Sequence, residues 1–103
     1  MSVWFVYMIR AANNALYTGI STNVDHRVTE HASGRGSKYL RGRAPLTLEY
    51  RRRIGDQRLA LAVERGLKSL TKTQKERIVV SAPSRARLLR ILGARSPSGS
   101  RSS

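Results

Sequence analysis

Residues 5–19 read FVYMIRAANNALYTG. Two short apolar runs, each holding a tyrosine, flank a small polar stretch with two asparagines, the pattern of two strands joined by a tight turn. Strand VWFVYMI (3–9) is apolar and β-branched or aromatic on both faces, as a central strand is, and LYTGI (16–20) pairs with it. In a hairpin, paired residues share a face, so the loop length decides where the tyrosines look. A three-residue loop, Ala12 to Asn14, with Asn14 in the left-handed conformation that asparagine tolerates, sets Tyr7 opposite Gly19 and Tyr17 opposite Ile9. Both hydroxyls then face one side. A two-residue Asn13-Asn14 loop would divide them between the two faces. Gly19 removes a side chain where the Tyr7 ring needs room, or simply marks a bulge.

Beyond the hairpin, Thr22 to Asp25 reads as a capping box opening a helix, VDHRVTEHA, with Val24, Val28 and Ala32 as its buried stripe. Arg27 and His31, four apart, stack beside that stripe and point toward the sheet edge, where they can share a cleft with the tyrosines. The segment GRGSKYLRGRAP (34–45) carries four basic residues without periodicity and reads as a mobile cationic loop, with Arg35, Lys38, Arg41 and Arg43 as phosphate contacts. LTLEYRRRI (46–54) alternates Leu46, Leu48 and Tyr50 against polar residues, the pattern of a third strand with one wet face. Asp56 caps the main core helix, about 57–70, and further helical turns follow within 71–82.

The chain is expected to form one domain over 1–82, with a short basic helix or extension at 83–94 and a disordered tail at 95–103. Among 103 residues, Lys and Arg number 20 and Asp and Glu 6, giving a net charge of +14. Such a field draws polyanions through counterion release, so nucleic acid is the expected partner, DNA ahead of RNA. The seven-residue apolar run falls well short of the roughly 20 residues that span a bilayer. No membrane role is expected, and without a basic region ahead of that run the chain is expected in the cytoplasm. A monomer is expected, with a partner protein as the alternative. With no cysteine, thiol nucleophiles and thiolate metal sites are excluded. His26 and His31, five apart, are badly spaced to share a zinc ion.

Six carboxylates can be sorted by elimination. Asp25 and Asp56 serve as caps, Glu49 lies on the wet face of its strand, and Glu30 and Glu76 sit among basic neighbours. Glu64 remains, flanked on its helix by Leu61 and Leu67 and hence half-buried. A half-buried carboxylate needs a partner, an arginine in a salt bridge or a metal ion.

VYM at 6–8, YTG at 17–19, Arg27 ten residues after the second tyrosine, His31 four later and a glutamate in a later helix together resemble the GIY-YIG nuclease superfamily. GRGSKYLRG and LALAVERGLKSLTKTQKERIV look like its small stand-alone bacterial single-domain members, and the likeness covers roughly residues 3–80. The resemblance implies an α+β fold, a three-stranded antiparallel sheet flanked by helices in the order β-β-α-β-α-α. It also implies a metal-dependent hydrolase cutting phosphodiester bonds in DNA, in repair or processing, with Mg²⁺ or Mn²⁺ held by Glu64. Tyr7 and Tyr17 match the motif tyrosines, Gly19 the motif glycine, Arg27 the helix arginine, and His31 a position held by histidine or tyrosine. Ile20 stands where some relatives carry a lysine, and Lys38 is the candidate substitute. On this basis Tyr7 is expected to be the base, with the divalent ion, Arg27 and the positive field favouring its phenolate. Tyr17 would position water or phosphate, Arg27 would neutralise the phosphate, and His31 would orient Tyr7 or share its proton. Tyr39 and Trp4 are the remaining aromatics suited to stacking on bases. A non-catalytic DNA- or RNA-binding module, keeping the cleft only as a phosphate pocket, is the alternative.

Overall fold

The computed structural model describes residues 2–93. Strand β1 (Trp4–Arg10) is the middle of an antiparallel sheet ordered β2-β1-β3, with β2 at Leu16–Ser21 and β3 at Thr47–Gly55. A central strand with helices on both sides has no wet face, which is why VWFVYMI is apolar throughout. The register pairs Tyr7 with Gly19 and Ile9 with Tyr17. Asn14 has φ 69°, and the Ala11 N–H donates to Ala15 O at 2.9 Å, closing the three-residue loop that the turn chemistry predicts.

The two faces of the sheet build separate cores. Val6, Met8 and Leu16 pack with Leu59, Ala60, Val63 and Leu67 of α2 (Gln57–Lys68), Ile78 of α3 (Lys72–Ser81) and Leu88 of α4 (Arg85–Leu92). Tyr7, Ile9 and Ala11 pack with Val24 of α1 (Val24–Ala32) and with Leu40 of a 3-10 turn, Lys38–Leu40. Asp56 caps α2 as expected, its carboxylate accepting from the Leu59 N–H at 2.8 Å. Residues 85–92 form the basic helix expected after Pro83, and the expected tail at 95–103 lies outside the described residues. No helix among the described residues is long and apolar enough to cross a membrane.

Several sequence expectations give way. A β-bulge in β3 opposes Leu48 to Ile9 but Tyr50 to Met8, so the Leu46-Leu48-Tyr50 alternation is split between the two cores. Period-two reading cannot see the extra residue. Glu49, within the irregular stretch, meets the Arg10 guanidinium at 2.8 Å, and Arg10 also binds Glu76 of α3 at 2.7 Å. The cap of α1 is Asn23, accepting from the His26 N–H at 3.1 Å, not Thr22; Asp25 instead pairs with Arg51 at 3.0 Å. In α1 the inward residue of the last turn is His31, 2% exposed, while Ala32 is exposed. The loop at 34–45 is not without structure: it holds the 3-10 turn and buries Leu40.

Arg10 and Lys72 hold the Glu76 carboxyl down to about 2. A carboxylate with a depressed folded pKa contributes stability that is complete above its unfolded value and lost as pH falls through the folded one. Stability followed by urea titration is therefore expected to decline between about pH 4.5 and 2, and Glu76→Gln should flatten that decline. Thr18 Oγ1 is buried with no hydrogen-bond partner among the described residues. Thr18→Val keeps the shape and removes the orphaned hydroxyl, so it should raise stability by about 1 kcal/mol in the same assay.

Candidate active site

The face of the sheet under α1 carries the reactive side chains. Tyr7, on the central strand, is 1% exposed, and its hydroxyl crosses Gly19 of the neighbouring strand. A Cβ built at Gly19 would lie 2.4 Å from Tyr7 Oη, so this glycine is there for close approach and not for an unusual backbone angle. Tyr7 Oη lies 3.0 Å from His31 Nε2, a buried contact between side chains 24 residues apart. On its far side the imidazole meets the loop after α1, where the Ser37 N–H donates to Nδ1 at 3.1 Å.

Tyr17 lies beside this pair, with ring centroids 6.5 Å from Tyr7 and 5.4 Å from His31. Tyr39 of the 3-10 turn stacks on Tyr17 at 5.9 Å. Both phenols thus face one side, and His31 stands edge-on between α1 and the sheet. Arg27, one turn before His31, is held by Glu30 at 3.1 Å and directs its charge at the Tyr7 hydroxyl. Glu64 stands on α2. Its side chain is 20% exposed, although of the two flanking leucines only Leu67 is buried and Leu61 is exposed, and its negative charge is felt weakly at Tyr7. Its ionic partner is Lys68, one helical turn on, at 3.3 Å.

Burial is the largest influence on Tyr7, followed by Tyr17, and together they push the phenol up to about 12 against the opposing pull of Arg27. Loss of hydration thus outweighs one guanidinium and the distant basic surface, so these two of the three influences expected to favour the phenolate do not suffice by themselves. Burial and Arg27 lower His31, which favours the neutral imidazole. Glu30 raises Arg27 and keeps the guanidinium charged.

Among the described residues no three His, Cys, Asp or Glu side chains stand together as a metal cage. Glu64 alone still suits Mg²⁺ or Mn²⁺, hard ions that are often held by one or two carboxylates and otherwise by water and substrate phosphate. His26 takes no part, meeting Glu30 on the outer face of α1. Ile20 packs against the α2-side core. Lys38 is exposed on the 3-10 turn, and the lysine the fold sets against the site's carboxylate is Lys68, legible in sequence only as an i,i+4 neighbour of Glu64. Arg35 and Lys38 point outward. Arg41 and Arg43 are partly occupied within the loop, Arg41 donating to Gly34 O at 3.2 Å and Arg43 lying 4.8 Å from the Tyr39 ring centre.

The model of the GIY-YIG catalytic domain matches residues 3–77. The "UPF0213 protein YhbQ" of Escherichia coli O157:H7 is 51% identical over 89 residues, covering 86% of this chain and 89% of its own. The protein of that name from Shigella boydii serotype 18 shows the same identity and coverage. The solution NMR structure of the UPF0213 protein BH0048 from Bacillus halodurans is similar with a TM-score of 0.53 at 31% identity, over 90% of this chain and 99% of that one.

Gly19→Ala drives a methyl group into the buried Tyr7 ring and should destabilise by about 1–3 kcal/mol. In a Tyr7→Phe background, which removes the nearest atom, part of that cost should disappear. Urea midpoints of the four proteins in this double-mutant cycle measure the coupling; additivity of the two changes would show that the contact is not what requires the glycine.

Proposed function

The chain belongs to the GIY-YIG catalytic domain family, a superfamily of nucleases, and on that premise we propose that it is a metal-dependent nuclease hydrolysing phosphodiester bonds in DNA. The observation that carries the proposal is the contact of the Tyr7 hydroxyl with the His31 imidazole, on which the charges of Arg27 and, more weakly, Glu64 both act. Glu64 is the residue that would hold Mg²⁺ or Mn²⁺, which when bound supplies positive charge to the phosphate oxygens.

Hydrolysis requires water to attack phosphorus in line with the P–O bond that breaks, a proton to leave that water, and charge on the non-bridging oxygens to be offset. Tyr7 first loses its own proton to solvent, and the resulting phenolate receives the water's proton. Its phenolate, costly in the buried pocket, is held by the His31 ring and by Arg27. The planar donors of Arg27 also face the scissile phosphate, and Glu30 keeps them aimed. Tyr17 positions water or phosphate beside Tyr7. Arg35 and Lys38, outward on the cationic loop, contact flanking phosphates without reading bases. The protein acts as a monomer on cytoplasmic DNA, in repair or processing.

Incubation with single-stranded and duplex DNA in Mg²⁺, Mn²⁺ or chelator tests the proposal. Cuts are expected only with metal, and Glu64→Ala should lose them while still binding DNA; binding without cuts by the unaltered protein would favour a non-catalytic module. If Tyr7 is the base, its raised pKa means that the reactive phenolate increases about tenfold per pH unit below 12. The cleavage rate should then climb across pH 7–9 with a slope near one for the wild type and for Tyr17→Phe. Tyr7→Phe should abolish the climb. Arg35→Gln and Lys38→Gln are each expected to weaken binding alike for all sequences and to reduce its salt dependence, as read by anisotropy titrations.

A further inference from the structure

His31 is held from both sides, and only one side has been given a part in the chemistry. Its Nδ1 accepts from the Ser37 N–H at 3.1 Å, and a backbone N–H can only donate. Nδ1 must therefore carry a lone pair, and a neutral imidazole with its lone pair there has its proton on Nε2. Nε2 lies 3.0 Å from Tyr7 Oη, so the tyrosine oxygen is the acceptor in that bond. The ring is buried and cannot turn toward water for another partner.

Gly36 makes the contact possible. A Cβ at this position would come 2.2 Å from Nδ1 and 2.8 Å from Cε1, so any side chain would lift the loop off the ring. No positive φ calls for glycine here; the close approach does. Ser37 has φ −66° and ψ 137°, and its hydroxyl oxygen accepts from the Tyr39 N–H at 3.1 Å, which anchors the 3-10 turn and fixes where the Ser37 amide points.

We infer that Gly36 and the backbone N–H of Ser37 are positioning elements of the active site, which lock His31 in the Nε2–H tautomer so that it donates to Tyr7 and cannot take a proton from it. The inference deepens the nuclease reading and rests on it for its consequence: His31 is excluded as a base toward Tyr7 and supports a negative oxygen there. Arg35 and Lys38 flank the clamp, so the segment that meets the phosphate backbone is the one that orients the histidine.

Long-range ¹H–¹⁵N correlation spectra of the whole protein at neutral pH test the geometry without reference to cleavage. The chain has 2 histidines, and His26→Gln removes the other signal. His31 is expected to show an unprotonated Nδ1 and a protonated Nε2. Ser37→Pro fits the observed φ and deletes the N–H, while Ser37→Ala keeps the N–H and loses only the hydroxyl. The proline variant should lose the single-tautomer pattern and at least tenfold in kcat at unchanged KM; the alanine variant should retain the pattern and stay within about threefold of wild type. Gly36→Ala should follow the proline variant. An Nδ1–H tautomer in the wild type, or equal kcat for Ser37→Pro and Ser37→Ala, would overturn the inference. Should the wild type cut nothing while the tautomer pattern holds and responds to Ser37→Pro, the positional assignment stands and the nuclease reading alone falls.

Discussion

The contact between Tyr7 Oη and His31 Nε2 is the constraint on which the site depends. It joins the central strand to α1 through two buried polar atoms, each of which would be costly to leave without a partner. Making it requires room on one side, supplied by Gly19 under the phenol, and closeness on the other, supplied by Gly36 against the imidazole. Two glycines with ordinary backbone angles thus serve one hydrogen bond. Tyr17 and Tyr39 continue the aromatic packing outward from it.

Charge is arranged around this contact by scarcity. The carboxylates are few, and several are spent on structure: Glu49 and Glu76 hold Arg10, Asp25 meets Arg51, and Asp56 caps α2. Glu30 keeps Arg27 in place. Glu64, shared only with Lys68 of its own helix, is the acidic group whose charge reaches Tyr7. In so basic a chain, a half-buried carboxylate is a local exception to the positive field.

The hairpin was legible because its information is local. Two asparagines between apolar runs, one of them tolerant of a left-handed backbone, narrow the loop to two or three residues, and the loop length settles which residues share a face. Arg27 and His31 were legible as one helix face for the same reason. The third strand departs from its own alternation at a bulge, beside which Glu49 meets Arg10, thirty-nine residues away. The choice of Asn23 over Thr22 as a cap lies within the usual uncertainty of helix ends. The cationic loop read as solvent-facing because its glycines and basic residues conceal a single buried leucine and one backbone amide that faces inward.

From the sequence alone came the three-stranded α+β fold, the pairing of Tyr7 with Gly19, and the gathering of two phenols, a guanidinium and an imidazole on one side. The fold came through the family resemblance, and the pairing and the gathering from turn chemistry and the periods of strand and helix, which act over a few residues. Only the tertiary structure decided the protonation of that side: a phenol raised by burial, and a histidine whose lone pair is claimed by a loop amide. Hydration lost on packing and the direction of an N–H bond are set by distant segments meeting, and no local pattern of residues encodes them.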